Sequence, residues 1–254
     1  SKFFPKEKRL IATEIKINET KKAHSFVIAD CSVNISVVLE DKYSETHNIM
    51  AMIEGTDPAL KDEYVIVGAH YDHLGWGAQN SRYTGKTPKI HNGADDNASG
   101  TAAVLEIAEE IKVTPLKRSV VFLAFSAEEM GLLGSKYFTS TPEFNLDNAT
   151  AMINLDMVGK LSESAVTVFG SESSPEFPLI IDKAGEIDSL VVTKVGSGIG
   201  PSDHTSFYQE KIPAIHIFTG VHDDYHMPTD DWEKLNYKGL AKIVEFSEHI
   251  IRAV

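Results

Sequence analysis

Five side chains that can bind metal ions lie at or near the ends of predicted secondary-structure elements. They are His70, Asp95, Glu129, Asp156 and His226. Two imidazoles and three carboxylates suit a pair of divalent ions such as Zn²⁺. Because a bound metal ion can activate a water molecule for attack on a substrate, this ligand set predicts a hydrolytic metal site.

A second carboxylate, Glu128, directly precedes Glu129. Side chains at successive positions after a strand point in different directions, so one glutamate can bind a metal while its neighbour does not. A carboxylate beside a metal-bound water can accept its proton and pass it to a leaving amine, which predicts a general base at Glu128. Asp72 and Asp230 follow the two candidate histidine ligands closely in sequence, and each could orient an imidazole.

The candidate ligands accompany segments that are typical of buried strands. Short apolar runs alternate with helical periodicity from Tyr64 onwards, which predicts an α/β fold. The predicted strands are Tyr64–Ala69, Ser119–Phe125, Thr150–Leu155, Ala165–Phe169, Leu190–Val195 and Ala214–Phe218; the predicted helices are Asn97–Lys112, Ser174–Glu186 and Tyr237–Arg252. Since ligands collect at the carboxyl ends of strands in such sheets, we expect the candidate side chains to meet at one edge.

The N-terminal part of the chain differs from the rest. Residues 1–62 are rich in Lys, Glu, Thr and Asn, and two alternating runs, Val33–Leu39 and His47–Ile53, predict an edge hairpin or meander. A chain of 254 residues with 42% apolar composition can form one core. We therefore expect a single domain over residues 1–254, with 1–47 as a peripheral edge segment that could be the remnant of a trimmed N-terminal region.

Composition excludes several classes of partner and site. The chain has 37 acidic and 24 basic residues and a formal charge of −13, which argues against binding of nucleic-acid phosphates. Its single cysteine, Cys31, excludes metal sites built from two or more thiolates. An apolar run of about 18 residues, which could span a membrane, is also missing from the sequence.

Several motifs occur in a fixed order: His70-Tyr71-Asp72, Gly93–Gly100, Ala127–Ser135, Asn154–Met157, Ser202-Asp203-His204 and Asp224-Tyr225-His226. In their order and their residue types, these motifs resemble the M28 family of co-catalytic zinc peptidases, chiefly its leucyl and bacterial aminopeptidases. The resemblance extends from about Asn48 to the C-terminus. It implies the zinc-dependent exopeptidase fold, a three-layer sandwich in which helices flank a central mixed, largely parallel twisted sheet.

The same resemblance implies two Zn²⁺ ions and a role for each ligand. Asp95 would bridge both ions. His70 and Asp156 would complete one site, and Glu129 and His226 would complete the other. The resemblance further implies a cis peptide bond between Asp95 and the next residue, Asp96.

Catalytic and substrate-binding roles also follow from the resemblance. Glu128 would be the general base, and Tyr225 would help to stabilise the tetrahedral oxyanion. Positional comparison suggests that His204, Phe207, Ile199 and Met227 line the substrate pocket. Other histidines near the motifs, among them His73 and His222, have no assigned role.

The activity implied is release of N-terminal residues from peptides with a free N-terminus. Three alternatives stay open: an M28-type carboxypeptidase, a zinc glutaminyl cyclase that uses one metal on the same fold, and a non-catalytic metal-binding module. Family resemblance and the missing initiator Met lead us to expect an exported protein, periplasmic, cell-surface or secreted, with its signal removed. No motif specifies the oligomeric state or the preferred N-terminal residue.

Overall fold

The computed structural model describes residues 10–25, 32, 34–40, 43–77, 80–141 and 145–254. The chain divides into two compact units, Ser1–Ser44 and Glu45–Val254. The first unit contains helix α1, Leu10–Thr20, which the sequence pattern did not predict. The strand predicted over Val33–Leu39 is wrong for residues 34–39, which form neither strand nor helix; Val33 itself lies outside the described residues.

The second unit is built on a seven-stranded mixed sheet. Its strands are β1 (Ile49–Ile53), β2 (Tyr64–His70), β3 (Ser119–Phe125), β4 (Ala149–Leu155), β5 (Ala165–Phe169), β6 (Val191–Val195) and β7 (Ala214–Phe218). Their order is β1-β3-β2-β4-β7-β5-β6. The β1/β3 and β7/β5 pairs are antiparallel, whereas the other four pairs are parallel.

Helices cover both faces of this sheet. They are α2 (Gly100–Val113), α3 (Leu133–Ser140), α4 (Phe177–Ile187), α5 (His204–Gln209) and α6 (Tyr237–Ala253). Alternate residues of β2 enter different cores, as Val65 and Val67 pack with α2, α4 and α6, while Ile66 packs with Phe138 of α3 and Phe207 of α5. Burial on both faces explains why the central strands have continuous apolar sequences. The predicted α/β three-layer fold is confirmed.

Element boundaries differ from the predictions at a few places. Helix α2 begins at Gly100 rather than at Asn97, because residues Ala94–Ser99 form a separate turn. Strand β1 pairs with β3 and not with the run before it, so the predicted hairpin is not formed. An alternating apolar pattern predicts that a segment forms a strand, but it does not identify the strand with which that segment pairs. Here β1 pairs with β3.

The parallel strands β2, β3, β4 and β7 end at the same edge of the sheet. His70 at the end of β2 is in register with Phe125 of β3, and Leu155 of β4 is in register with Ile217 of β7. The loops that follow these strands therefore meet at the carboxyl edge, where the candidate ligands are expected. Within the described residues, no helix combines the length and apolar character needed to cross a membrane.

Candidate metal centre

One group of possible ligands forms around His70, the last residue of β2. The Nε2 atom of His70 lies 3.3 Å from Oδ1 of Asp96 and 3.4 Å from Oδ1 of Asp156. Asp156 directly follows β4, and its Oδ1 atom has no hydrogen-bond partner among the described residues. The three side chains are close enough to hold one metal ion.

A second group lies on the other side of Asp96. The Nε2 atom of His226 is 3.2 Å from Oδ2 of Asp96 and 3.2 Å from Oε2 of Glu129. His73 joins this group, since its Nδ1 atom lies 2.8 Å from Oε1 of Glu129. His73, Asp96 and Glu129 also have the mutual distances of a metal site.

Asp96 therefore stands between the two groups, with Oδ1 facing His70 and Oδ2 facing His226. Asp95 points elsewhere: its Oδ1 atom accepts a hydrogen bond from the Gly159 N–H at 2.7 Å, and its Oδ2 atom lies 3.0 Å from His222 Nε2. The bridging position predicted for Asp95 is wrong, because consecutive residues of this turn direct their side chains oppositely. The cis peptide bond is likewise between Asp96 and Asn97, one residue later than predicted.

The turn that carries Asp96 is held by the side chain of Asp230. Asp230 Oδ2 accepts hydrogen bonds from the backbone N–H groups of Asp95, at 2.9 Å, and Asp96, at 3.1 Å. Asp230 was predicted to orient the His226 imidazole, but Nδ1 of His226 lies 2.9 Å from the carbonyl oxygen of Asn80 instead. That prediction is wrong, and the role of Asp230 is to fix the backbone of the turn.

Asp72 contacts both His70 and the glutamate pair. Its carbonyl oxygen lies 3.0 Å from Nδ1 of His70, as expected for a residue that orients this imidazole. Its carboxylate accepts hydrogen bonds from the backbone N–H groups of Glu128, at 3.0 Å, and Glu129, at 3.3 Å. Asp72 thus fixes the backbone of Glu128 and Glu129, and with it the directions of their side chains.

The two glutamates have opposite electrostatic environments. Burial raises the pKa of Glu128 to about 9, and its Oε2 atom stays 4.0 Å from His70 Nε2. Burial also acts to raise the pKa of Glu129, but the adjacent imidazoles of His226 and His73 outweigh this effect and lower the pKa to about 2. Glu129 is therefore charged at neutral pH and is a candidate ligand, whereas Glu128 remains outside both groups.

The histidines respond to the surrounding carboxylates. Burial tends to lower the pKa of His70, but the nearby Asp156 carboxylate outweighs this effect and raises the pKa well above its usual value. Burial also tends to lower the pKa of His226, but Asp96 and Glu129 outweigh this effect and raise the pKa to about 10. The cluster thus stabilises positive charge. Buried carboxylates and imidazoles in this arrangement fit the donor preference of Zn²⁺.

A partly apolar cavity opens beside the cluster. Its lining includes Asp96, Glu128, Glu129, Asp156 and His226, together with Met157, Phe169, Pro201, His216, Phe218, Val221 and Tyr225. Because Glu128 is both unligated and exposed to this cavity, it can reach a molecule bound there. The space is large enough for a small apolar side chain next to the two groups of candidate ligands.

The four predicted pocket residues are absent from this lining. Phe207 is fully buried in the core between Phe125 and Phe138, with ring centroids 5.8 Å from each. His204 is also fully buried, and Ile199 lines a different cavity. Met227 lies in the turn after His226 but is not part of the lining. The pocket prediction is wrong for Phe207 and His204, which are buried in the core. Ile199 and Met227 lie outside this lining, and their roles stay predictions.

Tyr225 lies in the cavity wall, and its ring stacks on that of His226 with centroids 3.8 Å apart. Burial and the nearby carboxylates raise the pKa of the Tyr225 phenol above its usual value. The hydroxyl group therefore keeps its proton at neutral pH. This state is the one required of a hydrogen-bond donor to an oxyanion, and the role itself stays a prediction.

Sequence reasoning missed several residues of the site. Asp96 was noted only as the neighbour of Asp95, and nothing in the spacing distinguishes the two. His73 was noted among the nearby histidines without a role. Ser202 was part of a recognised motif, and its Oγ atom donates a hydrogen bond of 2.7 Å to Asp156 Oδ2.

The chain belongs to peptidase family M28, whose family model matches residues 48–251. The aminopeptidase YwaD of Bacillus subtilis (strain 168) is 33% identical over 193 residues, which cover 71% of this chain and 38% of that protein. Much of this relative's length therefore has no counterpart here. Family membership nevertheless explains why the motifs occur in this order.

Solved structures share the fold. The zinc aminopeptidase BSAP from Bacillus subtilis superimposes with a TM-score of 0.68 and 27% sequence identity, over 81% of this chain and 49% of that one. A glutaminyl cyclase from Bacteroides thetaiotaomicron gives a TM-score of 0.66 at 21% identity, over 82% of this chain and 77% of that one. The second similarity concerns the fold alone.

Proposed function

We propose that this protein is a zinc-dependent aminopeptidase that hydrolyses the N-terminal peptide bond of its substrates. The observation that carries the proposal is the Asp96 carboxylate, whose two oxygens face two separate groups of histidine and carboxylate side chains. Similarity to the aminopeptidase YwaD and the zinc aminopeptidase BSAP supports the same activity.

Two zinc ions would be held by five side chains. His70 and Asp156 would bind one ion, Glu129 and His226 would bind the other, and Asp96 would be shared. His73 is an additional candidate ligand of the second group. Bound zinc would supply Lewis acidity and would lower the pKa of water in the cavity.

Glu128 would move protons during the reaction. Its carboxyl group lines the cavity and makes no hydrogen bond to the candidate ligands, so it is available to accept a proton from water. A nearby divalent cation would lower the raised pKa of Glu128 and favour the carboxylate. The same group can then deliver the proton to the leaving amine, while the Tyr225 hydroxyl donates a hydrogen bond to the oxyanion.

Peptides with a free N-terminus are the proposed substrates. The carboxylates beside the cavity attract an ammonium group, and the formal charge of −13 adds a favourable long-range field. The apolar lining, with Met157, Phe169 and Phe218, suits an apolar first side chain. The proposed export of the protein rests on the same family resemblance as before and stays a prediction.

Hydrolysis of a panel of aminoacyl-p-nitroanilides tests the proposal. We expect turnover that a chelator abolishes and that added Zn²⁺ restores. An N-acetylated analogue of the best substrate serves as the control and should be inert, since it lacks the ammonium group. Cyclisation of an N-terminal glutaminyl peptide, or release of the last residue from a test peptide, would instead support the cyclase or the carboxypeptidase.

A further inference from the structure

Lys160 is a partly buried cation next to the segments that carry the candidate ligands. It follows Asp156 by four residues. The backbone N–H of Lys160 donates to Thr219 Oγ1 at 3.3 Å, so the end of β4 is tied to the end of β7. Its side chain is 15% exposed and does not line the cavity beside the metal cluster.

The Lys160 ammonium group contacts three side chains of one segment, residues 222–230. Its Nζ atom lies 3.1 Å from His222 Nδ1, 3.0 Å from Asp224 Oδ2 and 3.8 Å from Asp230 Oδ1. This segment includes Tyr225 and the candidate ligand His226. Lys160 therefore contacts residues of this segment on both sides of His226 in the sequence.

The contact with His222 determines how the imidazole is protonated. An ammonium group can only donate, so His222 Nδ1 must accept and the proton of neutral His222 must be on Nε2. That nitrogen lies 3.0 Å from Asp95 Oδ2, and the proton is donated to this carboxylate. A chain of directed hydrogen bonds thus runs from Lys160 through His222 to Asp95, the residue before Asp96.

A second route passes through Asp230, whose side chain is fully buried. Its Oδ2 atom accepts the backbone N–H groups of Asp95 and Asp96. Its Oδ1 atom has no hydrogen-bond partner in the described part of the chain, and Lys160 is the cation beside it. A buried carboxylate needs a compensating charge, and removal of that charge destabilises whatever the carboxylate holds.

We propose that Lys160 is a positioning residue of the zinc site. Its ammonium group joins the turn that carries Asp96 to the segment that carries Tyr225 and His226, and so sets the separation of these ligands. This inference rests on the proposed function. It assigns a role to Asp95, His222 and Lys160, three residues that would neither bind zinc nor touch the substrate.

The test compares Lys160→Met, Lys160→Arg and Lys234→Met with the wild-type protein. Lys234 is the matched control, because its Nζ atom lies 2.5 Å from Asp224 Oδ1 while its side chain is 43% exposed. Zinc affinity of the metal-free proteins is measured by competition with a chromophoric chelator. Values of kcat and KM are then determined with saturating zinc, and circular dichroism checks the fold of each variant.

We expect Lys160→Met to bind at least one zinc ion about 10–100-fold more weakly, as is typical when a residue that orients ligands is lost. Its kcat should fall while KM stays unchanged, because Lys160 does not line the cavity. Lys160→Arg keeps the cation and should lie between Lys160→Met and the wild type. Lys234→Met should stay within about fivefold of the wild type, as expected for an exposed ion pair.

Wild-type zinc affinity and kcat in Lys160→Met would overturn the inference, as would an equal loss in Lys234→Met or an effect on KM alone. If Lys160→Met does not fold, His222→Ala replaces it, since this variant interrupts only the route to Asp95. Unchanged zinc affinity and kcat in His222→Ala would then overturn the inference. A wild-type protein that binds no zinc would refute the proposed function as well, which separates the two failures.

Discussion

Asp95 and Asp96 are adjacent acidic residues with different surroundings. Three groups satisfy the Asp95 carboxylate, namely the Gly159 N–H, the Ser99 hydroxyl and His222. The Asp96 carboxylate instead faces two imidazoles, those of His70 and His226. At the scale of single residues, these contacts distinguish a candidate zinc ligand, Asp96, from a carboxylate that stabilises the turn, Asp95.

Replacing each aspartate by asparagine tests this distinction. We expect Asp96→Asn to lose at least one zinc ion per chain, because an amide nitrogen cannot replace the second ligand oxygen. Asp95→Asn should keep both ions after dialysis but bind them more weakly, since the amide oxygen still accepts the Gly159 N–H whereas the amide nitrogen cannot accept from His222. Elemental analysis after dialysis measures the difference, and the reverse pattern would show that Asp95 is the shared ligand.

Glu128→Gln separates proton transfer from metal binding. We expect this variant to retain zinc, because Glu128 makes no hydrogen bond to the cluster, and to lose turnover by about 10²–10⁴-fold, the usual contribution of a general base. Glu129→Gln is the control and should lose zinc together with activity. Near-normal kcat in zinc-loaded Glu128→Gln would refute the role of this residue.

At the scale of elements, the site depends on one turn between β2 and α2. Gly93 begins this turn with φ of +61°, and a Cβ atom at its position would lie 2.4 Å from the carbonyl oxygen of Asp96. The turn directs Asp96 into the cluster and Asp95 towards the end of β4. A side chain at position 93 would displace the turn and the ligand that it carries.

Gly93→Ala should therefore lower both stability and zinc affinity. Gly75→Ala is a matched control, because Gly75 has φ of +57° and, chain neighbours apart, no atom of the described residues lies within 4 Å of its Cβ position. We expect Gly75→Ala to cost about 1–2 kcal/mol, the penalty of the left-handed conformation, and Gly93→Ala to cost more. Urea unfolding measures both, and equal losses would show that the contact with Asp96 is unimportant.

Elements were predicted from sequence more reliably than side-chain directions. The strand Ser119–Phe125 was predicted at its observed bounds because burial on both faces gives a continuous apolar run. Helix α3, in contrast, follows the Glu128-Glu129 motif without a distinctive apolar stripe and was missed. The choice between Asp95 and Asp96 depends on backbone torsion angles within the turn, and residue types do not encode these.

At the scale of the whole molecule, buried histidines make stability depend on pH. Burial, reinforced by the charge of His216, lowers the pKa of His204 to about 3. In the unfolded chain His204 has a pKa of about 6.5 and binds a proton that the native state excludes. Native stability is therefore reduced as the pH falls from about 6.5 towards 3.

We expect the unfolding midpoint of the metal-free wild type to fall over this pH range, and that of His204→Leu to fall less steeply. The variant removes the group that takes up a proton only on unfolding. Thermal unfolding of both proteins in the presence of a chelator makes the comparison, since metal loss then contributes to neither curve. Parallel curves would show that His204 is not responsible.

In the proposed site, two zinc ions share the carboxylate of Asp96 at the carboxyl edge of the sheet. Crystals of the zinc-loaded protein, measured at the zinc absorption edge, test it most directly. We expect two anomalous peaks, one beside His70 and Asp156 and one beside Glu129 and His226, with Asp96 between them. A single peak, or a peak beside Asp95, would contradict it.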